Sequence, residues 1–202
     1  MTILGIDPGT QHLGWALLTV DEQTRKGSVE LMGVLDLSKY ADHYQKLAAI
    51  QRRMVQLMDE YKPDEMGIES PFFGKNVQSM LKLGRAQGVC IAQAAVRGIP
   101  VAEYAPMRIK QSITGKGDAE KETVAAMLKR MLNFESVPKL LDATDALACA
   151  YCHYLQISSP LKKVELNDKQ KQLKKLTARK RKGSGSSWDD FVKNNPERVV
   201  DK

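Results

Sequence analysis

A chain of 202 residues with 43% hydrophobic content can bury one sizeable core, which favours a single domain with a tail over two domains. No apolar run approaches the ~20 residues needed to span a bilayer, and the opening Met1-Thr2-Ile3-Leu4 lacks the basic and apolar regions of a signal peptide, so the expectation is a cytoplasmic protein with no membrane contact. The net charge of +7 is concentrated, since residues 1–159 are formally neutral whereas residues 160–182 hold ten basic side chains against Glu165 and Asp168; such a segment suits a polyanionic partner.

Residues 2–7 form a short apolar run ending in Asp7-Pro8-Gly9-Thr10, the pattern of a buried strand closed by a turn. Residues 13–20 and 29–37 are two further strands, and their short turn-rich connections predict an antiparallel meander, because a parallel pair needs a crossover of roughly a dozen residues or more. Ser38 is the expected N-cap of a helix over 39–61, which carries Leu47, Ile50, Met54, Leu57 and Met58 at helical spacing and stops at Pro63. A brief strand over 65–69 precedes a long helix over 76–97, stopped by Gly98, and a fifth strand over 99–104. After a loop containing Gly115 and Gly117, Asp118 is the expected cap of a helix over 119–132, and a last core helix runs from about 139 to 155.

Three meander strands followed by strands alternating with helices give an α/β fold: a mixed five-stranded sheet flanked by helices, in the order of an RNase H-like fold. The expected division is a catalytic domain over 1–157 and a basic, disordered tail over 158–202, in which Gly183-Ser184-Gly185-Ser186-Ser187 is a flexible linker. Trp188 and Phe191, three residues apart, could form one amphipathic turn within that tail.

The chemistry resides in acidic side chains. Asp7 and Glu69 sit at the C-terminal ends of two strands, where a mixed sheet exposes its functional edge. Asp142 and Asp145 are three residues apart in Leu141-Asp142-Ala143-Thr144-Asp145, which places both carboxylates on one helical face. If that helix crosses the strand ends, four mutually repelling carboxylates converge, and hard divalent cations such as Mg²⁺ or Mn²⁺ relieve such a cluster. Two ions would activate a water on one side of a phosphodiester and stabilise the departing oxygen on the other, which is nuclease chemistry. Taken singly, Asp7 could stabilise a turn and Asp142 could cap a helix that starts late.

Gly5-Ile6-Asp7-Pro8-Gly9-Thr10, Ile68-Glu69, Lys75-Asn76, Leu81-Lys82-Leu83-Gly84 and Asp142-Ala143-Thr144-Asp145-Ala146-Leu147-Ala148 occur in one consistent order, and together they resemble the RuvC-type Holliday junction resolvases over about residues 1–157. The resemblance implies that Asp7, Glu69, Asp142 and Asp145 are the metal-binding catalytic residues of a crossover junction endodeoxyribonuclease. It further implies a homodimer acting on four-way junction DNA in recombination and repair, with Mg²⁺ as cofactor and the RuvA and RuvB branch-migration proteins as partners. It marks Phe72 as an aromatic that inserts or stacks at the opened junction centre, a role suited to a sequence-tolerant binder, whereas Phe73 reads equally well as a core residue. Lys75 joins the DNA-binding set on the same ground, and Lys110 and Lys121 become candidate phosphate ligands or transition-state stabilisers. As isolated lysines they would be solvated surface residues.

Three other readings compete. Cys149-Ala150-Tyr151-Cys152-His153 matches a haem-attachment pattern, but it continues the helix of Asp142 and Asp145, and its cysteines are expected to pack as small hydrophobes; with Cys90 they number three, against a disulfide framework. Asp7-Pro8-Gly9-Thr10 also resembles the phosphate loop of actin- and Hsp70-like ATPases, which use two such domains where this chain has one neutral core. A catalytically silent nucleic-acid-binding module is the third, and carboxylates at all four positions argue against it.

Overall fold

The computed structural model describes residues 1–21, 23–71 and 76–158. Ten elements follow one another: β1 (Thr2–Asp7), β2 (His12–Val20), β3 (Gly27–Asp36), α1 (His43–Tyr61), β4 (Glu65–Glu69), α2 (Val77–Ala95), β5 (Val101–Tyr104), α3 (Pro106–Thr114), α4 (Lys121–Leu132) and α5 (Asp142–Ser158). The chain divides into a unit over Met1–Gln156 and a second over Ile157–Lys202, nearly all of which lies outside the described residues. No helix among the described residues is long and apolar enough to cross a membrane.

The five strands form one sheet in the order β3-β2-β1-β4-β5. The expected meander is present: β1 pairs antiparallel with β2, and β2 with β3. Asp21 shapes the second turn, its carboxylate accepting from the amides of Gln23 at 2.9 Å and Thr24 at 2.7 Å, while Arg25 takes the left-handed region at φ 57°. On its other side β1 pairs parallel with β4, and β4 with β5. Parallel neighbours finish at the same edge, so the last residues of β1 and β4, Asp7 and Glu69, come out together.

Side-chain alternation sorts the strands into two faces. Leu4, Ile6, Leu13, Trp15 and Leu17 pack on α1 and α2 against Ile50, Met54, Leu57, Met58 and Cys90, all buried. Each large aliphatic side chain so enclosed contributes about 1.5–3 kcal/mol. The opposite face is cut low where α5 crosses it. A methyl group on Gly5 would overlap the carbonyl oxygen of Ala146, one on Gly14 that of Asp142, and one on Gly67 would meet Cβ of His153 at 3.0 Å. Small residues on α5 complete the fit, with Ala143, Ala146, Cys149, Ala150 and Cys152 fully buried. The helix therefore rests almost on the strand backbones.

Several boundaries differ from the sequence expectation. Ser38 does not cap α1: its amide and hydroxyl are taken by Asp36 Oδ1 at 2.8 and 2.5 Å, and Tyr40 N bonds back to Leu37 O, so the chain turns first. Asp42 caps instead, accepting from Gln45 N at 2.9 Å. Asp118 is likewise not the cap of α4, which starts at Lys121 after Glu120 with no side-chain cap. The fifth strand is shorter than expected, because Gly98 at φ 69° and the bond from Ile99 N to Ala94 O still belong to the end of α2. Within the expected loop lies α3, opened by Pro106 in its first turn and closed by Gly115 at φ 77°, whose amide donates to Gln111 O.

Candidate active site

The site is built on the sheet edge where β1 and β4 end. Asp7 stands in register with Gly14 of β2, and Glu69 with Tyr104 of β5. α5 begins over this edge, its first turn tied by bonds from Asp145 N at 2.8 Å and Thr144 Oγ1 at 2.7 Å to the carbonyl of Leu141. Asp142 and Asp145 both fall in that turn, where the helix dipole favours negative charge. Because Gly5 and Gly14 let the helix sit low, its two acids reach the same region as Asp7 and Glu69.

Their proximity shows in their electrostatics. Burial raises the Asp7 carboxyl well above its usual range, and repulsion from Glu69, Asp145 and Asp142 adds to this while Lys121 opposes it. Burial, then the charge of Asp145, lifts Glu69 to about 7, with Lys121 and Lys110 pulling the other way. Asp145 is also raised by burial, although its bond to Lys121 counteracts the shift.

Lysines from two helices and an imidazole from β2 face these acids. Lys121, the first residue of α4, donates from Nζ to Asp145 Oδ2. Burial lowers its own pKa, but that bond and the attraction of Asp145, Asp7 and Asp142 outweigh burial and leave it raised. Lys110 of α3 acts on both Glu69 and Asp145. His12 Nδ1 lies 3.9 Å from Asp142 Oδ2.

Among the described residues no three Asp, Glu, His or Cys side chains are drawn into a single metal-ligating group. Lys121 supplies the counter-charge at Asp145. The donor chemistry nonetheless fits a hard cation: carboxylates are hard oxygen donors, and burial holds Asp7, Glu69 and Asp145 above their usual range, so a bound cation would favour their ionised forms.

Of the residues singled out in the sequence, Asp7, Glu69, Asp142, Asp145, Lys110 and Lys121 are thus brought together. Phe72 and Lys75 lie outside the described residues, as do the basic tail and its Trp188–Phe191 segment. Supporting residues not found in the sequence surround the edge. Gln87 of α2 is buried and donates to Glu103 Oε2 at 2.7 Å and to the carbonyl of Glu69 at 3.5 Å. Tyr104 Oη contacts His153 Nδ1 at 2.7 Å, and His153 Nε2 meets Glu65 Oε2 at 2.7 Å, a chain that ties α5 to β4 and β5. His153 thereby has both ring nitrogens engaged, and Cys149 and Cys152 beside it are buried. A buried glutamine or histidine carries no short-range sequence signal of this kind; only the topology pairs residues 65 and 153.

The family model described as "Crossover junction endodeoxyribonuclease RuvC" matches residues 3–153. The crossover junction endodeoxyribonuclease RuvC of Bacteroides fragilis is 51% identical over 98% of this chain and 95% of its own. A solved RuvC structure from Thermus thermophilus, 30% identical, superposes with a TM-score of 0.68 over 77% of this chain and 95% of that one. The T. thermophilus RuvC solved in complex with Holliday junction substrate, 28% identical, gives the same TM-score of 0.68 and the same coverage of both chains. The RNase H-like reading of the sheet agrees with these neighbours. With three-quarters of its length matched in one register and half of its residues shared with a full-length relative, the chain belongs to the RuvC family of crossover junction endodeoxyribonucleases.

Proposed function

We propose that this protein resolves Holliday junctions, nicking two strands of four-way junction DNA symmetrically in a metal-dependent reaction during recombination and repair. The observation that carries the reading is the meeting of Asp7, Glu69, Asp142 and Asp145 at one sheet edge, from two strands and a helix far apart in sequence, with charges that perturb one another. These four would hold Mg²⁺, two ions per site, with Mn²⁺ able to substitute. Bound there, such ions would supply an activated water and charge neutralisation at the departing 3′ oxygen. The protein's own side chains do the rest. Lys110 and Lys121 add positive charge where the phosphodiester becomes more negative, and His12 faces Asp142 from the first residue of β2.

Phe72 and Lys75 complete the DNA-binding set by resemblance, Phe72 stacking on a base at the junction centre. Two equivalent cuts call for two equivalent sites, hence a C₂ homodimer. On α2, Val89 and Ile91 pack on the chain's own core, whereas Val77 and Leu81, one turn apart, are 61% and 50% exposed and would anchor the pairing face. The catalytic domain is assigned to residues 1–157 and the basic tail to 158–202. RuvA and RuvB are the partners that the family resemblance implies, and the cytoplasm is the compartment.

The test is Mg²⁺-dependent nicking of a synthetic four-way junction, with the nick positions mapped on all strands. Paired nicks at symmetric positions support the reading. ATP hydrolysis without nicking would favour the ATPase, and junction binding without either would favour a silent binding module.

A further inference from the structure

A second polar site lies on the other side of the same sheet edge. A cavity of about 290 Å³ opens between the turn that joins β1 to β2 and the first turns of α1 and α2, lined by Thr10, Gln11, His43, Lys46, Ser79 and Lys82. Its charge is unbalanced. Lys46 Nζ donates to two neutral acceptors, Thr10 O at 2.9 Å and Gln11 Oε1 at 3.5 Å. Lys82 has no acidic partner among the described residues. His43 Nε2 is buried and has no hydrogen-bond partner there either. A buried ring nitrogen without a partner is uncommon in a folded protein and calls for a missing one. Burial lowers the pKa of the His43 ring, and the cations Arg85, Lys82 and Lys46 lower it further against the single opposing charge of Asp42. The surroundings are thus net positive, and both helices direct their N-terminal ends toward them.

An anion would answer each of these features: it would neutralise Lys46 and Lys82 and accept from a protonated Nε2 and from the Ser79 hydroxyl. The position selects among anions. Thr10 follows Asp7 by three residues, so the turn is a ridge with the carboxylates on the α5 side and this cavity on the α1 and α2 side. A DNA strand lying across that ridge offers successive phosphates to both.

We propose that this cavity binds a phosphodiester group of the DNA other than the one that is cut, held by Lys46, Lys82, His43 and Ser79, and so fixes the strand's register against the carboxylates. The proposal rests on the junction-cutting reading, and the test separates the two. The full-length protein is used without divalent metal, so that binding is measured apart from cutting. One phosphate contact adds roughly 0.9 to the slope of log affinity against log salt. Lys82→Met is therefore expected to bind the junction several-fold more weakly at low salt and to lose about that much slope, and Lys82→Arg to restore both. The chain has three histidines, so the ring signals can be assigned by NMR with a His43→Gln variant. The His43 signal is expected to move on titration with four-way junction DNA. An unchanged slope in Lys82→Met, or a His43 signal that stays in place at saturating junction, overturns the site. So does movement with inorganic phosphate alone and none with DNA, which would make it a free-phosphate pocket. Junction binding without nicking when Mg²⁺ is restored would overturn the cleavage reading alone.

Discussion

Lys121 donates to the carboxylate of Asp145 from the first residue of α4, so an ammonium group stands where a metal-bound cluster needs positive charge. A divalent ion must share or displace that contact. Replacing Lys121 by Gln is expected to tighten Mn²⁺ binding several-fold while slowing single-turnover junction cleavage by about 10²–10³, the cost of losing one preorganised donor at a developing anion. Mn²⁺ titration followed by electron paramagnetic resonance measures the first effect. Equal metal affinity in the variant would mean that Lys121 and the ion do not compete.

Burial of the carboxylates, and then their mutual repulsion, costs the fold stability. Asp7→Asn removes the most strained charge and is expected to raise the metal-free stability at neutral pH by about 1–3 kcal/mol. The same variant should no longer cut, yet should bind the junction as well as before, because a lost negative charge does not weaken attraction to phosphates. Thermal melts in EDTA beside a nicking assay show whether stability and activity move in opposite directions.

The pH dependence follows from Glu69, raised from 4.5 to about 7. The folded state then holds a proton that the unfolded state releases, so this contribution is fully present below pH 4.5 and is lost as pH rises through 7. Metal-free protein should thus lose on the order of 3 kcal/mol of unfolding free energy across that interval. Glu69→Gln should flatten the loss, and saturating Mg²⁺ should reduce it. Denaturant titrations at several pH values give the comparison.

Gly14 and Gly67 both lie beneath α5, but only Gly14 lies under Asp142. An added methyl should destabilise either variant by about 1–3 kcal/mol through overpacking. Gly14→Ala should lose cleavage well beyond what its unfolded fraction explains, and Gly67→Ala should not. Comparing cleavage rates at a temperature where both remain folded separates displacement of the acids from simple loss of stability.

The ten basic residues of 160–182 hold the excess charge of the chain. Truncation after Ser159 is expected to weaken junction binding at low salt and to lower the salt slope by several contacts at roughly 0.9 each, with metal-dependent cutting retained at saturating protein. Equal slopes for the full-length and truncated forms would remove the tail from the DNA-binding surface.

Where local pattern determines structure, the sequence was readable. The apolar run ending at Asp7 and the three-residue spacing of Asp142 and Asp145 are legible, because a strand end and a helix turn are short-range objects. Helix starts were less legible. Ser38 has the right chemistry for a cap, but Asp36 two residues earlier binds its amide and hydroxyl, and Asp42 takes the role. The missed α3 carried its signals in Pro106 and Gly115, outweighed by the turn residues around Gly117. Least legible were partners brought together only by topology: Gln87 with Glu103, His153 with Glu65, and the glycines under α5, whose importance depends on what crosses above them.

Cys90, Cys149 and Cys152 are all buried, and burial pushes the Cys90 thiol up to about 12 and the Cys149 thiol well above its usual value. Thiolate, the form that attacks an electrophile, is therefore scarce at neutral pH, and the packing denies access to reagents as well. A cysteine introduced on the surface would be the one maleimide-reactive group in the folded chain. Dyes for distance measurements on junction-bound protein could then be attached without first rebuilding the core to remove the native sulfurs.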